Sequence, residues 1–577
     1  MNDARPDHLT WRHLVLVLLL LSGAVALVWR LVVLQVLDHE RYREEAARLH
    51  YGATEVPAPR GAILSANGYP LATSIDTWDV YLDRSRWHDE ASAREAALGL
   101  AAALGLEAGA IYALGTERED GTVLLARDVD YETGLAIDRA GPAGVRLAPS
   151  SVRIHPEGDI AGQLIGHVGL DDRGLWGIEA DYDHVLRGRP GIVYTERDVL
   201  GRPIAFGSRL EHPPERGGDV VLTIDAVIQR IAEQELDRAL DQYEAPSGSI
   251  VVMDPHTGAV LALAAKPSVR LTDVDLNHPE LSRLVRNTPV TDLYEPGSVL
   301  KTLTTAAALD LGRITTQSTY VDEGAVEVGG YTIRNWDLQA HGEVNVTYYL
   351  QRSLNTGAVW LSERIGARPF YDYLSAFGLG EPTHVGLSGE AEGLLRTPDD
   401  PDWYEADRAT NSFGQGLAAT PLQVLTAVSS FANGGVLMRP YVVSEIVTPT
   451  EVRRFEPVEV RRVVSAQTAR VMARLMYDVV ETSPYSGARV EGYHVAGKTG
   501  TTLVSIPTGY DLDTTIASFA GFIPYEEPRI SVLVKVDQPG GERNLGGEVA
   551  APLFSRLAGR LMEYLRVPAG GDLVASP

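Results

Sequence analysis

The sequence predicts an α+β protein in which one membrane-spanning helix precedes two folded regions, and three observations carry that reading. A single apolar run, residues 14–37, is long enough to cross a bilayer, and no second run of that length follows. Residues 38–225 are punctuated by glycine and mix short helical and strand-like stretches, with no repeat and no low-complexity tract. In residues 226–566 apolar strand-like runs lie at both ends with helical stretches between, the pattern of an antiparallel sheet packed against helices. At 577 residues with 45% hydrophobic content the chain can bury more than one core, and wholesale disorder is excluded. A net charge of −26 argues against a nucleic-acid partner, which needs a basic face. The absence of cysteine excludes disulfides, thiolate metal sites and a cysteine nucleophile. No metal or other cofactor is expected.

The first element is the apolar run. Leu14–Val28 is interrupted only by Ser22 and Gly23, and Leu31–Leu37 only by Gln35. A helix over these residues spans about 36 Å at about 1.5 Å per residue. Trp29 and Arg30 suit the far interface, where an indole is at home and an arginine can snorkel. Arg5 and Arg12 favour a cytoplasmic arm over residues 1–13, against the opposing pull of Arg41, Arg43 and Arg48. A cleaved signal peptide is the rival, with Ala24-Val25-Ala26 as its cleavage site; the apolar run continues past that site without a polar break.

A charged helical stalk is expected from Asp38 to His50, ended by Pro57-Ala58-Pro59. Strand structure then begins at Gly61–Leu64, with Ala66-Asn67-Gly68-Tyr69 as a hairpin turn. Ala91–Leu104 reads as a helix stopped by Gly105 and followed by a shorter one. His155, His167 and His184 are scattered and read as packing or surface histidines. The second region opens with a strand over Val220–Asp225 and a helix over Ala226–Tyr243. Gly248–Asp254 and Gly258–Ala264 form a hairpin around Asp254-Pro255-His256-Thr257-Gly258. Further strands are expected at Val495–Thr502, Ile516–Ile523 and Ile530–Asp537, then a closing helix over residues 550–566 and a frayed tail over 567–577.

The chemistry centres on Glu295-Pro296-Gly297-Ser298-Val299-Leu300-Lys301. Pro296 and Gly297 break the chain, and the Ala- and Leu-rich stretch Val299–Leu311 reads as a buried helix stopped by Gly312. Ser298 and Lys301 then fall one turn apart on one face. A serine cap followed by a solvated lysine is the plain alternative, but a capping box wants Glu or Gln at position 301. A cation there is opposed by the helix dipole by about 0.3–1 kcal/mol. Lysine usage sharpens the point. Only Lys266, Lys301, Lys498 and Lys535 are lysine among 51 basic residues. Arginine cannot surrender its proton, whereas a desolvated lysine can. Lys266 and Lys535 belong to no motif.

Two more clusters complete the set. Ser353-Leu354-Asn355 places a hydroxyl and an amide in a loop between helices. Lys498-Thr499-Gly500-Thr501-Thr502 lies on a predicted strand whose Gly497 and Gly500 mark close backbone approach. A lysine beside two hydroxyls suits a carboxylate.

Ser-x-x-Lys, Ser-x-Asn and Lys-Thr-Gly in this order resemble the motif set of penicillin-binding proteins and class A β-lactamases. Thr291-Asp292-Leu293-Tyr294, Val252-Met253-Asp254-Pro255, Ser412-Phe413-Gly414-Gln415-Gly416, Gly546–Pro552 and Arg60-Gly61-Ala62-Ile63 with Asn67-Gly68 extend the resemblance to the class B penicillin-binding proteins over almost the whole chain. Ser65 departs from it, standing where that family usually has Asp. The resemblance implies a pedestal domain over 38–225, a serine β-lactamase-like transpeptidase domain over 226–566, and a bacterial plasma-membrane D,D-transpeptidase of the division type that cross-links peptidoglycan. It implies Ser298 as nucleophile, Lys301 as its base, Ser353 and Asn355 as relay and positioning groups, and Lys498, Thr499, Gly500 and Thr501 as the carboxylate site. The backbone N–H groups of Ser298 and Thr501 would form the oxyanion hole. Stem pentapeptides on lipid-linked glycan strands would be substrates and β-lactams inhibitors. A polytopic glycan polymerase and divisome membrane proteins would be partners.

A β-lactamase would need a deacylating Glu, and no Glu-x-x-Leu-Asn occurs between Asn355 and Lys498. A zinc-protease sensor would need His-Glu-x-x-His, also absent. A bifunctional glycosyltransferase would need a second catalytic module, and a non-catalytic scaffold would not keep three intact motifs. A D,D-carboxypeptidase shares all three motifs and stays the alternative, as does a lateral-wall transpeptidase.

Overall fold

A computed structural model of the protein describes residues 11–38, 51–87, 89–116, 121–196, 209–483, 487–506, 509–541 and 544–569. Two compact units emerge, one of residues 1–59 with 189–215, the other of residues 60–188 with 216–577. In the first, the apolar run is a helix, Trp11–Val32, prolonged by a wider π-type turn over Val33–Leu37. Among the described residues His13–Gln35 is the one helix long and apolar enough to cross a bilayer, and it fits a single-pass anchor. Most of its leucines are exposed, Leu19 and Leu20 each by 67%, as lipid-facing residues should be. The same unit holds an antiparallel sheet of Tyr51–Val56, Gly191–Glu196 and Arg209–His212. The expected stalk beyond Asp38, most of the N-terminal arm and the tail from residue 570 lie outside the described residues.

The second unit begins with the predicted hairpin. Ile63–Leu64 pairs antiparallel with the start of the long strand Pro70–Asp83 across a turn at Asn67-Gly68. Ser65 closes that turn: its hydroxyl donates to Asn67 Oδ1 at 2.7 Å and accepts from Tyr69 N at 2.9 Å. The departure from Asp thus keeps the exposed turn bonded to a side chain that is itself buried. Pro70–Asp83 also pairs with Thr122–Asp130 and Val145–Ile154. On the other flank, Asp219–Leu222 runs parallel to Ile63–Leu64 and antiparallel to Val443–Val447. This one sheet therefore draws strands from both sides of residue 225.

The helices expected after residue 90 form over Glu90–Leu104 and Ala108–Thr116. Behind the hairpin, the wholly buried Glu179 accepts from Arg60 Nε and Arg153 Nε, each at 2.7 Å. Arg60 also reaches Asp183 at 2.8 Å and the carbonyl oxygens of Asp172 and Glu179 at 2.9 Å. Removing one partner from such a buried cluster leaves an uncompensated charge and is strongly destabilising. His155 stacks on His167, and His167 on Trp176, with ring centroids 6.4 and 5.6 Å apart. They pack, as the sequence suggests, and burial pushes the His155 imidazole down to about 4.

The second core is a five-stranded antiparallel sheet ordered Val260–Lys266, Ser247–Met253, Ile530–Asp537, Gly509–Ile523, Ala496–Ile506. Successive side chains alternate faces, as strand geometry demands. Ile250, Val252, Phe519 and Val532 meet the helices Ala226–Gln242 and Ala550–Tyr564 on one side. Val251, Ala520 and Leu533 join a cluster on the other side that includes Leu300, Leu303 and Val424. Ala496–Ile506 is left at the sheet's edge, and that exposed edge borders the site.

Candidate active site

Gly297–Leu300 forms a single 3-10 turn that passes directly into the helix Lys301–Asp310. No side chain caps either segment, so the Ser298 hydroxyl is not consumed as a cap. The turn is set by backbone packing that only glycine permits. Gly297 has φ +57°, and its N–H donates to Gly414 O at 3.0 Å. A Cβ on Gly414 would stand 2.2 Å from Gly297 O. One on Gly500 would meet Ser518 Oγ at 2.4 Å and Pro296 O at 2.7 Å. The Phe413-Gly414-Gln415 loop and the edge strand thus press on the turn from two sides. Glu295 adds a strut: its Oε1 accepts from Gly416 N at 3.0 Å and Tyr510 OH at 2.9 Å. Burial pushes the Glu295 carboxyl up, against those two hydrogen bonds.

Lys301 is completely buried. Its Nζ donates to Ser353 O at 2.6 Å, Asn355 Oδ1 at 2.9 Å and Ser353 Oγ at 3.2 Å. Ser353 ends the helix Val346–Arg352 in the left-handed region, φ +55°. That conformation is costly for a residue with a Cβ, and it turns both the carbonyl and the hydroxyl of Ser353 onto the amine. Burial, and secondarily the charge of Lys498, push Lys301 well below the ordinary lysine range. No carboxylate lies within 4 Å of either lysine among the described residues.

Lys498 lies on the edge strand, 2% exposed, with Nζ at 3.1 Å from Thr499 O and 3.3 Å from Thr499 Oγ1. Burial brings it down to about 7. Thr501 Oγ1 accepts from Gly546 N at 2.9 Å, tying the strand to the Gly546-Gly547 segment. Ser298, Ser353, Asn355, Lys498, Thr499 and Thr501 all line one cavity of about 600 Å³. Lys301 sits directly beneath it, and Gly500 backs the strand against Pro296. Every residue expected at the site is therefore brought to one place.

The sequence reading gave no site role to other cavity-lining groups, Trp336, Arg352, Gln415 and Glu548. It also missed Asn335 and Asp322, which are buried behind Asn355. Lys535, unremarkable in sequence, is 7% exposed, paired with Asp537 and placed 5.5 Å from the Tyr294 ring centroid, just before the nucleophile turn.

Residues 248–559 match the penicillin binding protein transpeptidase domain, and residues 55–222 the penicillin-binding protein dimerisation domain. The stage V sporulation protein D of Bacillus subtilis is 34% identical over 505 residues, spanning 86% of this chain and 77% of that protein. The peptidoglycan D,D-transpeptidase FtsI of Escherichia coli is 30% identical over 572 residues, spanning 98% of this chain and 94% of that protein. A crystal structure of penicillin binding protein 3 from Mycobacterium tuberculosis, complexed with aztreonam, superposes with a TM-score of 0.69 at 28% identity, covering 90% of this chain and 98% of that one. With more than half its length in the transpeptidase match and the serine, lysine and edge-strand residues around one cavity, this chain belongs to the penicillin-binding protein transpeptidase family.

Proposed function

We propose that the protein is a membrane-anchored peptidoglycan D,D-transpeptidase working through an acyl-enzyme on Ser298. The observation that carries the reading is a fully buried lysine amine without a carboxylate partner among the described residues, set between Ser353 and Asn355 beneath the cavity that Ser298 lines. Desolvation favours its neutral form, which can take the Ser298 proton as the oxygen attacks the carbonyl of the penultimate D-Ala. The proton then passes by way of Ser353 to the departing D-Ala amine. Lys498, with Thr499 and Thr501, holds the terminal carboxylate. An edge strand leaves alternate backbone N–H groups without a strand partner, and we assign the N–H groups of Thr501 and Ser298 to the developing oxyanion. An amine from a second stem resolves the acyl-enzyme and closes the cross-link.

The cellular setting belongs to the same proposal. The apolar helix would run from a cytoplasmic N-terminus to an extracytoplasmic catalytic unit, which we assign to the division septum on the class B resemblance of its motifs. A polytopic glycan polymerase and divisome membrane proteins would be its partners.

Benzylpenicillin should add one covalent equivalent to the peptide carrying Ser298, seen by mass spectrometry, and Ser298→Ala should abolish it while the thermal melt is kept. Labelling of the alanine variant would overturn the assignment. Fast loss of the adduct would mark a β-lactamase, and release of D-Ala without cross-linked product a carboxypeptidase.

A further inference from the structure

Asn355 starts the helix Asn355–Ile365, and the residue before it, Leu354, supplies no side-chain cap. The first N–H groups of a helix need acceptors from elsewhere. They find one 20 residues earlier: Asn335 Oδ1 accepts from Asn355 N at 3.0 Å. The same oxygen accepts from Thr356 N at 3.3 Å and lies 3.2 Å from Thr356 Oγ1. Asn335 is held in turn, its Nδ2 donating to the two oxygens of Asp322 at 3.0 and 2.9 Å and to Gln339 O at 3.2 Å. Asp322 further accepts from Thr356 Oγ1 at 2.6 Å, His341 N at 2.9 Å and Gly324 N at 3.1 Å. Both residues are 1% exposed. Burial works to raise the Asp322 carboxyl, but these hydrogen bonds outweigh it and hold it below the usual range. A carboxylate thus stands at the positive end of the helix.

The residue beside Asn335 completes the arrangement. Arg334 O accepts from Asn355 Nδ2 at 2.9 Å, which decides how the amide faces. Oδ1 is then the atom turned to Lys301, and it can only accept; Ser353 O, a carbonyl, can also only accept. A neutral amine has two N–H bonds and one lone pair. With both N–H groups directed at these two oxygens, the lone pair is left for a hydroxyl: that of Ser353 at 3.2 Å, or of Ser298 on the same cavity. A reversed Asn355 amide would donate to Lys301 and occupy that lone pair instead.

We propose that Asn335 and Asp322, with the Arg334 carbonyl, are positioning residues that fix the Asn355 amide and so aim the lone pair of Lys301 at the reacting hydroxyls. The inference rests on Lys301 acting as the base. Neither residue touches substrate, so the test reads proton transfer rather than binding.

The second-order rate of acylation by a fluorescent penicillin is followed across pH in the full-length protein. Asn335→Ala should lower the maximum rate by roughly 10–100-fold, the scale of a misplaced catalytic group. It should also move the acid limb to higher pH, because a loosened site hydrates the amine. Asn335→Asp keeps the acceptor for Asn355 N but sets a second carboxylate against Asp322, so it should fall at least as far as Asn335→Ala. Asp89→Ala, which removes the cap of the helix Glu90–Leu104 in a separate cluster of the core, should lower the melt without moving the limb. If Asn335→Ala does not fold, Thr356→Val serves, since it deletes only the hydroxyl bonded to Asp322. An unmoved acid limb in the folded variant overturns the inference. Lys301→Arg keeps the two failures apart. If it acylates like wild type, the base assignment falls; if it is inert while Asn335→Ala keeps the wild-type profile, only the positioning role falls.

Discussion

Raising the pH should weaken acylation by carboxylate-bearing β-lactams, and Lys498→Arg should remove that weakness. Lys498 is buried without a carboxylate partner among the described residues, and burial alone brings its amine down to about 7. A lysine so depressed is charged below that value and neutral above it. Only the ammonium can hold the ligand carboxylate, so the competent fraction is about one half at pH 7 and about one hundredth at pH 9. The expected fall across those two units is about 50-fold, or about 2 kcal/mol of transition-state stabilisation. Lys301 acts in the opposite sense, since it must lose its proton, and the charge of Lys498 helps it do so. The result is a bell-shaped profile whose limbs belong to the pair rather than to either lysine. A guanidinium stays charged throughout, so the alkaline limb of Lys498→Arg should be flat even if its longer side chain lowers the maximum. Acylation by benzylpenicillin, measured across pH with a thermal melt at each point, decides the matter. A wild-type rate that holds steady above neutrality, or a variant that falls as steeply, would refute the reasoning.

Two further outcomes follow from other parts of the molecule. Glu179→Gln should destabilise the protein by about 3–5 kcal/mol, because Arg60 and Arg153 would be left buried without their shared counter-charge; the melt should drop while the rate of penicillin binding per folded molecule stays near wild type. The mature N-terminus should remain at or near Met1, with the protein retained in membranes after a carbonate wash, whereas a terminus at Leu27 would show that a signal peptide had been removed.

The parts of the site that could be read in sequence are those encoded by local spacing. Ser298 and Lys301 follow one another through a single helical turn, and the glycines at 497 and 500 announce close packing that the structure displays atom by atom. The strands and closing helix of the five-stranded sheet likewise follow from apolar runs and turn residues, to within a few positions except at Gly509–Ile523, which starts seven residues before the expected Ile516. What escaped depends on contacts between distant segments. Nothing near Asn335 in sequence signals that its side chain caps a helix 20 residues on, and an isolated Asp322 looks like any turn residue until its acceptors are seen to be filled. The scarcity of lysine drew attention to Lys301, which the structure buries beside Ser353 and Asn355. It gave no warning that Lys535 is packed beside Tyr294, because burial by a neighbouring strand leaves no local mark.

The sheet that joins Asp219–Leu222 to Val443–Val447 bears on how the catalytic part can be handled in isolation. A chain cut at residue 225 would carry the cavity intact but lose the strand on which Val443–Val447 rests. That strand would keep only Val452–Arg454 as a neighbour and offer its other side, a row of unpaired backbone groups, to any passing chain. Such a fragment would be prone to self-association through this edge, while one beginning at Arg60 would keep the strand covered by its own Asp219–Leu222 and Ile63–Leu64.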